Sequence, residues 1–244
     1  MTLLAGCGGE GDSKSSDKPS DSSDSSATSA DTGDAEMPVC VEGDQWSALS
    51  SAGPSGITAG DGKLAVVFAN TADGTECDWY DYAETLVDDG HRVAAWNYDI
   101  ADGPVEDRLA ELDSVVSQMR KAGSAKVFVI GGSRGGCLAL LDAAKNSDVS
   151  GVAVLSCAKV WNRVDPTPLA KHLPKVTVPV LSVIAATDPD VPLAEAKADL
   201  MALGSKDKEL LVIKGSSEHG TALLGSTKVT AALDRFIAAA KMRP

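Results

Sequence analysis

Residues 131–135, with the sequence GGSRG, could carry out nucleophilic chemistry. They have the pattern G-x-S-x-G, in which a serine stands at the apex of a sharp turn between a strand and a helix. The turn strains the serine backbone, and side chains on its neighbours would collide with the adjoining strand and helix. The apolar run KVFVI precedes the motif and the helical stretch GCLALL follows it. This placement predicts that Ser133 is a nucleophile.

A serine hydroxyl is a weak nucleophile at neutral pH, so it needs a base within hydrogen-bonding distance. The sequence has three histidines. His91 precedes the serine and opens a predicted strand, where we expect it at the surface. His172 lies among lysines in a proline-rich connection, where we expect it to be solvated. His219 follows the last predicted strand, and α/β enzymes place reactive groups at the carboxyl ends of parallel strands. The sequence therefore favours His219 as the base, with an ordinary loop histidine as the alternative.

A carboxylate must orient that base, and we expect it one strand earlier in the chain. The strand predicted over residues 180–186 is followed by the sequence TDPDVP. Asp188 is the first acid after this strand and is the predicted partner of His219. Asp190 is the alternative, and both residues could instead be turn or helix-capping acids.

The order Ser133, Asp188, His219 is the nucleophile–acid–histidine order of the α/β-hydrolase fold. From about residue 64 to residue 240 the chain resembles that superfamily, especially its small, lidless dienelactone-hydrolase-like and carboxylesterase-like branches. The acid and histidine loops of the family look like residues 188–192 and 218–220. The serine departs from the dienelactone hydrolases proper, which use cysteine. The resemblance implies hydrolysis of a small-molecule ester or amide through an acyl-enzyme, without a cofactor or a metal.

Such a reaction needs two backbone N–H groups that bind the developing oxyanion. One is expected from Arg134, the residue after the nucleophile. The other is expected from the loop after the strand at 64–69, with Ala72 as the first candidate and Thr71 as the second. Asn70 stands where many hydrolases have a histidine. The Arg134 side chain could favour acidic substrates, but an ion pair with a nearby carboxylate is the preferred interpretation.

Alternating strand and helix patterns position these groups. They predict an α/β fold with a mainly parallel sheet, helices on both faces and no large lid domain. Predicted strands cover Leu64–Ala69, Arg92–Trp96, Lys126–Ile130, Val152–Leu155, Val180–Ala185 and Leu210–Ile213. Predicted helices cover Trp79–Asp88, Val105–Lys121, Arg134–Lys145, Leu193–Leu203 and a final helix with Ser226 or Thr227 as its cap. Residues 39–59 are expected to be irregular, with a short strand pair.

The beginning of the chain differs in composition from the rest. The net charge of the 244 residues is −13, which argues against a nucleic-acid partner. Residues 8–36 are rich in serine and aspartate and hold almost nothing to bury, so they are predicted to form a disordered tether. The folded domain is then expected over residues 37–244.

The sequence LAGC at residues 4–7 resembles a bacterial lipobox, in which a lipid is attached to the cysteine. Only six residues precede Cys7, so residues 1–7 are interpreted as a truncated lipoprotein signal. The motif and the tether predict an exported protein that a lipid on Cys7 anchors to the outer face of a bacterial cell membrane. A ragged cytosolic N-terminus is the alternative.

Four further cysteines permit two disulfides in an exported chain. Three pairings are open, and we favour Cys40–Cys77 and Cys137–Cys157. The alternative for the second pair is that both cysteines are small buried hydrophobes. No CxxC motif or Cys/His cluster indicates a metal site.

Three functions fit these features to different degrees. A serine esterase or amidase is favoured, because nucleophile, base and acid are all present in order. A surface-tethered binding protein on a hydrolase scaffold, with little or no turnover, is the second hypothesis. A nucleotide-binding protein is the least favoured, because Ser133 occupies the second glycine position of the G-x-G-x-x-G fingerprint.

Overall fold

One mainly parallel sheet organises the part of the chain that the computed structural model describes, residues 37–49, 53–98, 104–159 and 169–241. Its eight strands are β1 (Trp46–Ala48), β2 (Gly56–Ala59), β3 (Leu64–Ala69), β4 (Arg92–Trp96), β5 (Lys126–Gly132), β6 (Val149–Leu155), β7 (Val180–Ala185) and β8 (Lys208–Ile213). They lie in the order β1-β2-β4-β3-β5-β6-β7-β8. The pairs β1–β2 and β2–β4 are antiparallel, and the remaining pairs are parallel. The strands β3 to β8 therefore end at one edge of the sheet.

Helices cover both faces of this sheet, as the alternating pattern predicts. They are α1 (Tyr80–Asp88), α2 (Val105–Lys121), α3 (Arg134–Ala143), α4 (Leu193–Ala202) and α5 (Thr227–Lys241). The apolar sides of α2 and α3 pack on one face, and those of α1 and α5 pack on the other. The central strand β3 is buried along its whole length, which is typical of a parallel strand covered on both sides.

Most predicted elements are present, and the differences lie at their ends. Helix α3 stops at Ala143 instead of Lys145, because the N–H groups of Lys145 and Asn146 both turn back to the carbonyl of Asp142. Strand β6 begins at Val149, three residues before the predicted start, since Val149 already pairs with Val127 of β5. The expected short strand pair in residues 39–59 is β1 and β2.

Two histidines lie in surroundings that the sequence did not predict. The expectation that His91 is at the surface is wrong: it is buried just before β4, where Gly60 and Gly62 pack against its backbone. His172 is half-buried rather than solvated, and it stands before the short 3-10 turn Leu173–Lys175.

Both favoured disulfides are present. Cys40–Cys77 joins the segment before β1 to the 3-10 turn Glu76–Asp78, and Cys137–Cys157 joins α3 to the chain just after β6. The alternative of two buried free cysteines at 137 and 157 is therefore wrong.

Some predictions fall on residues that the structure does not describe. These are the lipobox at residues 4–7 with Cys7, the tether at 8–36, and residues 160–168 of the connection between β6 and β7. That connection spans residues 156–179, too short for a large lid domain. None of the described helices combines the length and the apolar character needed to cross a membrane.

Candidate active site

Ser133 occupies a strained turn between β5 and α3. Its backbone has φ 54° and ψ −118°, in the left-handed region that residues other than glycine seldom adopt. The surrounding backbone approaches too closely for side chains. A β-carbon on Gly131 would lie 2.1 Å from the carbonyl oxygen of Gly135, and one on Gly135 would lie 2.1 Å from that of Ala69. The glycines of the motif are therefore required by packing, as the sequence predicts.

The structure brings Ser133, His219 and Asp188 together at the carboxyl edge of the sheet. The Oγ atom of Ser133 lies 2.8 Å from Nε2 of His219. The opposite ring nitrogen, Nδ1, lies 2.9 and 3.0 Å from the two carboxylate oxygens of Asp188. With its proton on Nδ1, the neutral imidazole donates to the carboxylate and accepts from the serine hydroxyl. This chain of hydrogen bonds has the geometry that a serine nucleophile, a base and an orienting acid would require.

The acid and histidine loops follow β7 and β8, and Thr187 ties them together. Its backbone N–H and its hydroxyl both donate to the carbonyl oxygen of Ser216, at 3.2 and 2.9 Å. Asp188 and His219 come next on the two loops. Their contact is therefore set by two parallel neighbouring strands and one cross-loop anchor.

Asp188 is a buried carboxylate that four groups stabilise in its ionised form. Its side chain is 0% exposed. Burial by itself would raise the pKa of Asp188. Hydrogen bonds to the carboxylate have the opposite effect, and together they outweigh burial. The donors are Ser156 Oγ, the N–H groups of Asp190 and Val191, and His219. The pKa of Asp188 is lowered as a result, so the carboxylate is charged at neutral pH.

Asp190, the alternative acid, lies on the other side of the imidazole. Its carboxylate is 64% exposed and lies 3.8 Å from Nε2, the nitrogen that faces the serine. Within the described residues, Asp188, Asp190 and His219 could also hold a metal ion, because each offers a ligand atom within 4.8 Å of the others. An ion there would compete with the hydrogen bond between Asp188 and His219.

The expected oxyanion-hole residues lie beside the serine from two directions. Arg134 is the first residue of α3, and N–H groups at a helix N-terminus have no partner within the helix. From the other side comes the loop after β3, in which Thr71 and Ala72 are half-buried. The methyl group of Thr71 lies 3.2 Å from the position of a β-carbon on Gly132. Which of these two residues donates to an oxyanion stays a prediction.

Asn70 fixes the start of that loop from inside the protein. It is fully buried, and its side chain accepts a hydrogen bond from Trp79 Nε1 at 2.5 Å and donates to the carbonyl of Trp96 at 2.6 Å. Its own carbonyl accepts a hydrogen bond from the Tyr98 hydroxyl at 2.7 Å. Sequence comparison with the family pattern identified the position of Asn70, but not this network.

Sequence reasoning missed Ser156, which lies directly after β6. Its hydroxyl donates to Asp188 Oδ2 at 2.6 Å, and its backbone also has a positive φ, of 61°. No motif surrounds it in the sequence. The only available signal was a serine at the carboxyl end of the strand predicted to follow the elbow.

Several solved structures similar to this one carry the names of hydrolases. No protein-family model and no curated protein matches the sequence. The structure is similar to that of Est1E from Butyrivibrio proteoclasticus (TM-score 0.66, 18% identity, covering 82% of this chain and 100% of that one). It is also similar to a monoacylglycerol lipase of Paleococcus ferrophilus (TM-score 0.64, 16% identity, 75% and 97% covered) and to an esterase of Pyrococcus furiosus (TM-score 0.65, 14% identity, 75% and 85% covered).

These identities are low, so the likeness concerns architecture. The mostly parallel eight-stranded sheet, the helices on both faces and the strand–serine–helix turn are shared features of one fold. The chain has the α/β-hydrolase fold, as its sequence predicts.

Proposed function

We propose that this protein is a serine hydrolase that cleaves an ester or amide bond of a small-molecule substrate through an acyl-enzyme intermediate. One observation carries the proposal: an unbroken hydrogen-bond chain runs from Ser133 Oγ through both nitrogens of His219 to Asp188. The strained backbone of Ser133 costs free energy, and such strain is concentrated at functional sites. A role of Ser133 as the nucleophile would account for it.

In the proposed first step, Ser133 Oγ attacks the carbonyl carbon of the substrate while His219 Nε2 takes the hydroxyl proton. Asp188 stabilises the imidazolium and keeps Nδ1 pointing towards itself. The tetrahedral intermediate then collapses, the bond to the leaving alcohol or amine breaks, and the leaving group takes the proton from Nε2. Water attacks the acyl-serine by the same route and releases the acid. All groups that these steps use come from the chain itself.

The negative charge on the carbonyl oxygen needs donors that are in place before the reaction. Arg134 N–H is the proposed first donor, and the N–H of Ala72 or Thr71 is the proposed second. The buried hydrogen bonds of Asn70 support this assignment, because they fix the start of the loop after β3 to Trp79 and Trp96. The carbonyl oxygen of Asn70 also lies 2.5 Å from the position of a β-carbon on Gly135, so this loop lies against the start of α3.

An ester is the preferred substrate class. Two of the similar structures carry the names monoacylglycerol lipase and esterase, which supports a carboxylic ester. An alcohol is also a better leaving group than an amine, so an ester makes smaller demands on proton transfer from His219. Short p-nitrophenyl esters are therefore suitable first substrates.

The proposal is tested by treating the protein with a fluorophosphonate and locating the adduct by mass spectrometry. We expect one adduct on Ser133 in the wild type, none in Ser133→Ala, and strongly reduced labelling in His219→Ala. His172→Ala is the matched control, because it removes a half-buried histidine that is not hydrogen-bonded to Ser133. Absence of both an adduct and ester hydrolysis in the wild type would support a binding protein on this scaffold instead.

We further propose that the protein is exported and lipid-anchored to the outer face of a bacterial cell membrane through Cys7. Support comes from the LAGC sequence and the serine- and aspartate-rich residues that follow it. A clickable palmitate analogue, fed to bacteria that express the chain with a complete signal, should label the wild type but not Cys7→Ala. Unlabelled wild-type protein in the soluble fraction would contradict the anchor.

A further inference from the structure

Ser156 occupies an unusual backbone conformation at the end of β6. Its φ is 61°, although it is neither a glycine nor an asparagine, and its side chain is 2% exposed. Such a conformation costs free energy and persists only where the surroundings determine it. The question is therefore which contacts hold Ser156 there and what they achieve.

Contacts from the neighbouring strand and from the acid loop hold the residue on one side. Its backbone N–H donates to the carbonyl of Val183 on β7 at 2.9 Å. Its hydroxyl donates to Oδ2 of Asp188 at 2.6 Å. β6 thus ends in a serine that continues the sheet through its backbone and contacts the acid through its side chain.

Contacts from the nucleophile turn hold the following residues on the other side. Cys157 is bonded to Cys137 in α3, and the N–H of Ala158 donates to the carbonyl of Ser133 at 3.3 Å. The carbonyl oxygen of Ser156 lies 2.4 Å from the position of a β-carbon on Gly136. The segment 156–158 therefore lies between the turn that carries Ser133 and the loop that carries Asp188.

The two oxygens of Asp188 are held by different groups. Oδ1 accepts hydrogen bonds from the N–H groups of Asp190 and Val191, at 3.0 and 2.9 Å. Both of these donors belong to the same loop as Asp188. Ser156 Oγ is the donor to Oδ2 that comes from a different strand. It therefore ties the carboxylate to the end of β6, in addition to the contacts from its own loop and from His219.

We propose that Ser156 is a positioning residue of this site: its hydroxyl locks the Asp188 carboxylate in the plane from which it orients His219 towards Ser133. The proposal rests on the proposed hydrolase function for its kinetic consequences. Without the hydroxyl, the carboxylate can rotate about its last bond, and the imidazole loses a fixed acceptor. The expected effect is on the rate of the chemical step, because Ser156 is buried behind the acid and does not reach the substrate.

A second consequence concerns protonation. The Ser156 hydroxyl is the strongest of the hydrogen bonds that lower the pKa of Asp188 against the effect of burial. Its removal should raise the pKa of Asp188. The titratable groups next to Asp188 are His219 and Asp190. Because an ionised Asp188 is needed to orient His219, the acid limb of the pH–rate profile should move to higher pH.

The experiment compares Ser156→Ala and Ser156→Gly with the wild type on p-nitrophenyl acetate. Both variants without the hydroxyl should lose about tenfold in kcat with little change in KM, and their acid limbs should move upward. Glycine accepts a positive φ without strain, so Ser156→Gly protects the test against misfolding.

Ser205→Ala is the matched control. Ser205 is also buried, and its hydroxyl bonds only to the backbone of Asp207, away from the site. It should leave kcat and the pH profile unchanged. Wild-type kcat and an unmoved acid limb in both Ser156→Ala and Ser156→Gly would overturn the proposal.

A spectroscopic measurement separates this proposal from the proposed function. The Nδ1 proton of a histidine bonded to a carboxylate gives a downfield NMR resonance that needs no turnover to observe. If the wild type neither labels nor hydrolyses esters, the hydrolase proposal fails, but the resonance still decides the role of Ser156. Its loss or marked shift in Ser156→Ala supports the positioning role, and an unchanged resonance in that variant overturns it.

Discussion

Two serines that follow neighbouring parallel strands both have a positive φ but differ in their surroundings. Ser133 follows β5 with φ 54°, and Ser156 follows β6 with φ 61°. Both are buried, and the N–H of Ser133 donates to the carbonyl of Leu155, directly before Ser156. Their hydroxyls bind opposite ends of one pair: Ser133 contacts Nε2 of His219, and Ser156 contacts Oδ2 of Asp188.

The difference lies in what enforces the strained conformation. At Ser133 it is local sequence, because glycines at 131 and 135 allow strand and helix to approach each other. At Ser156 the neighbours are Leu155 and Cys157, and the enforcing contacts come from Val183, Asp188 and the Cys137–Cys157 bond. A strained backbone conformation can therefore be imposed by a local sequence motif or by contacts from residues distant in the chain. Only the first kind can be recognised in the sequence.

The largest expected difference between the two serines appears on removing each hydroxyl. Ser133→Ala should lower kcat/KM for p-nitrophenyl acetate by about 10⁴-fold or more, because it removes the nucleophile. Ser156→Ala should cost only about tenfold, because it removes a support. Steady-state kinetics on folded protein checks both values. Equal losses in the two variants would contradict the division into nucleophile and positioning residue.

Substitution of Gly135, which makes the Ser133 turn possible, should also have a large effect, but on the stability of the fold. Gly135→Ala places a β-carbon 2.1 Å from the Ala69 carbonyl oxygen and 2.5 Å from that of Asn70, both of them backbone atoms. We expect a loss of several kcal/mol in the free energy of unfolding, or no soluble protein. Gly225→Ala is the control, since nothing lies within 4 Å of a β-carbon there. A Gly135→Ala variant with wild-type stability in urea would show that local packing does not enforce the turn.

Removing each disulfide in turn tests whether tertiary contacts hold Ser156 in its conformation, separately from their effect on overall stability. They close loops with sequence separations of 20 and 37 residues, so loss of either should cost about 3 to 4 kcal/mol by chain entropy. Only Cys137–Cys157 adjoins Ser156. The double variant Cys137→Ala/Cys157→Ala should therefore also lose several-fold in kcat, whereas Cys40→Ala/Cys77→Ala should keep its kcat. Thermal melts and kinetics at a temperature where both stay folded distinguish the two effects, and equal kcat losses would contradict this assignment.

Much of the fold could be predicted, because the spacing of apolar residues identifies each strand or helix and local residues mark where it ends. Strands β3, β4 and β7 and helix α2 have the predicted bounds, and each is an apolar run or stripe closed by polar or glycine residues. The site residues could be predicted for a related reason. A glycine-bounded serine, few histidines and one acid directly after a strand leave few combinations.

The remaining features depend on contacts that no local pattern records. His91 is buried, and Gly60 and Gly62 of the loop between β2 and β3 pack against its backbone. Asn70 is a polar residue whose partners, Trp79 and Trp96, lie 9 and 26 residues away. Ser156 bonds to Asp188, 32 residues further along the chain. Local sequence patterns identify each of these residues, but they do not show which distant residues lie in contact.

The smallest expected effect is the pH dependence of stability that comes from Asp142. Removing this carboxyl separates its pH dependence from the one expected at Ser156. Asp142 is buried on α3, the helix behind Ser133, and burial together with the neighbouring Asp113 raises its pKa to about 9. Because the unfolded value is about 4, its favourable contribution to folding is complete below that pH and is lost as the pH rises towards 9. The wild type should therefore become less stable between pH 5 and pH 9.

Asp142→Asn removes this group while keeping the shape of the side chain and its contact with Asn146. Its melting temperature should exceed that of the wild type by several degrees at pH 8, and the gap should become much smaller as the pH is lowered to 5. The acid limb of kcat/KM should not move, because Asp142 does not contact the Ser156–Asp188–His219 chain. A gap that is constant with pH would mean that Asp142 is ionised throughout. A shifted acid limb in this variant would mean that α3 transmits charge to the site, and the pH effect expected at Ser156 could then no longer be assigned to its hydroxyl alone.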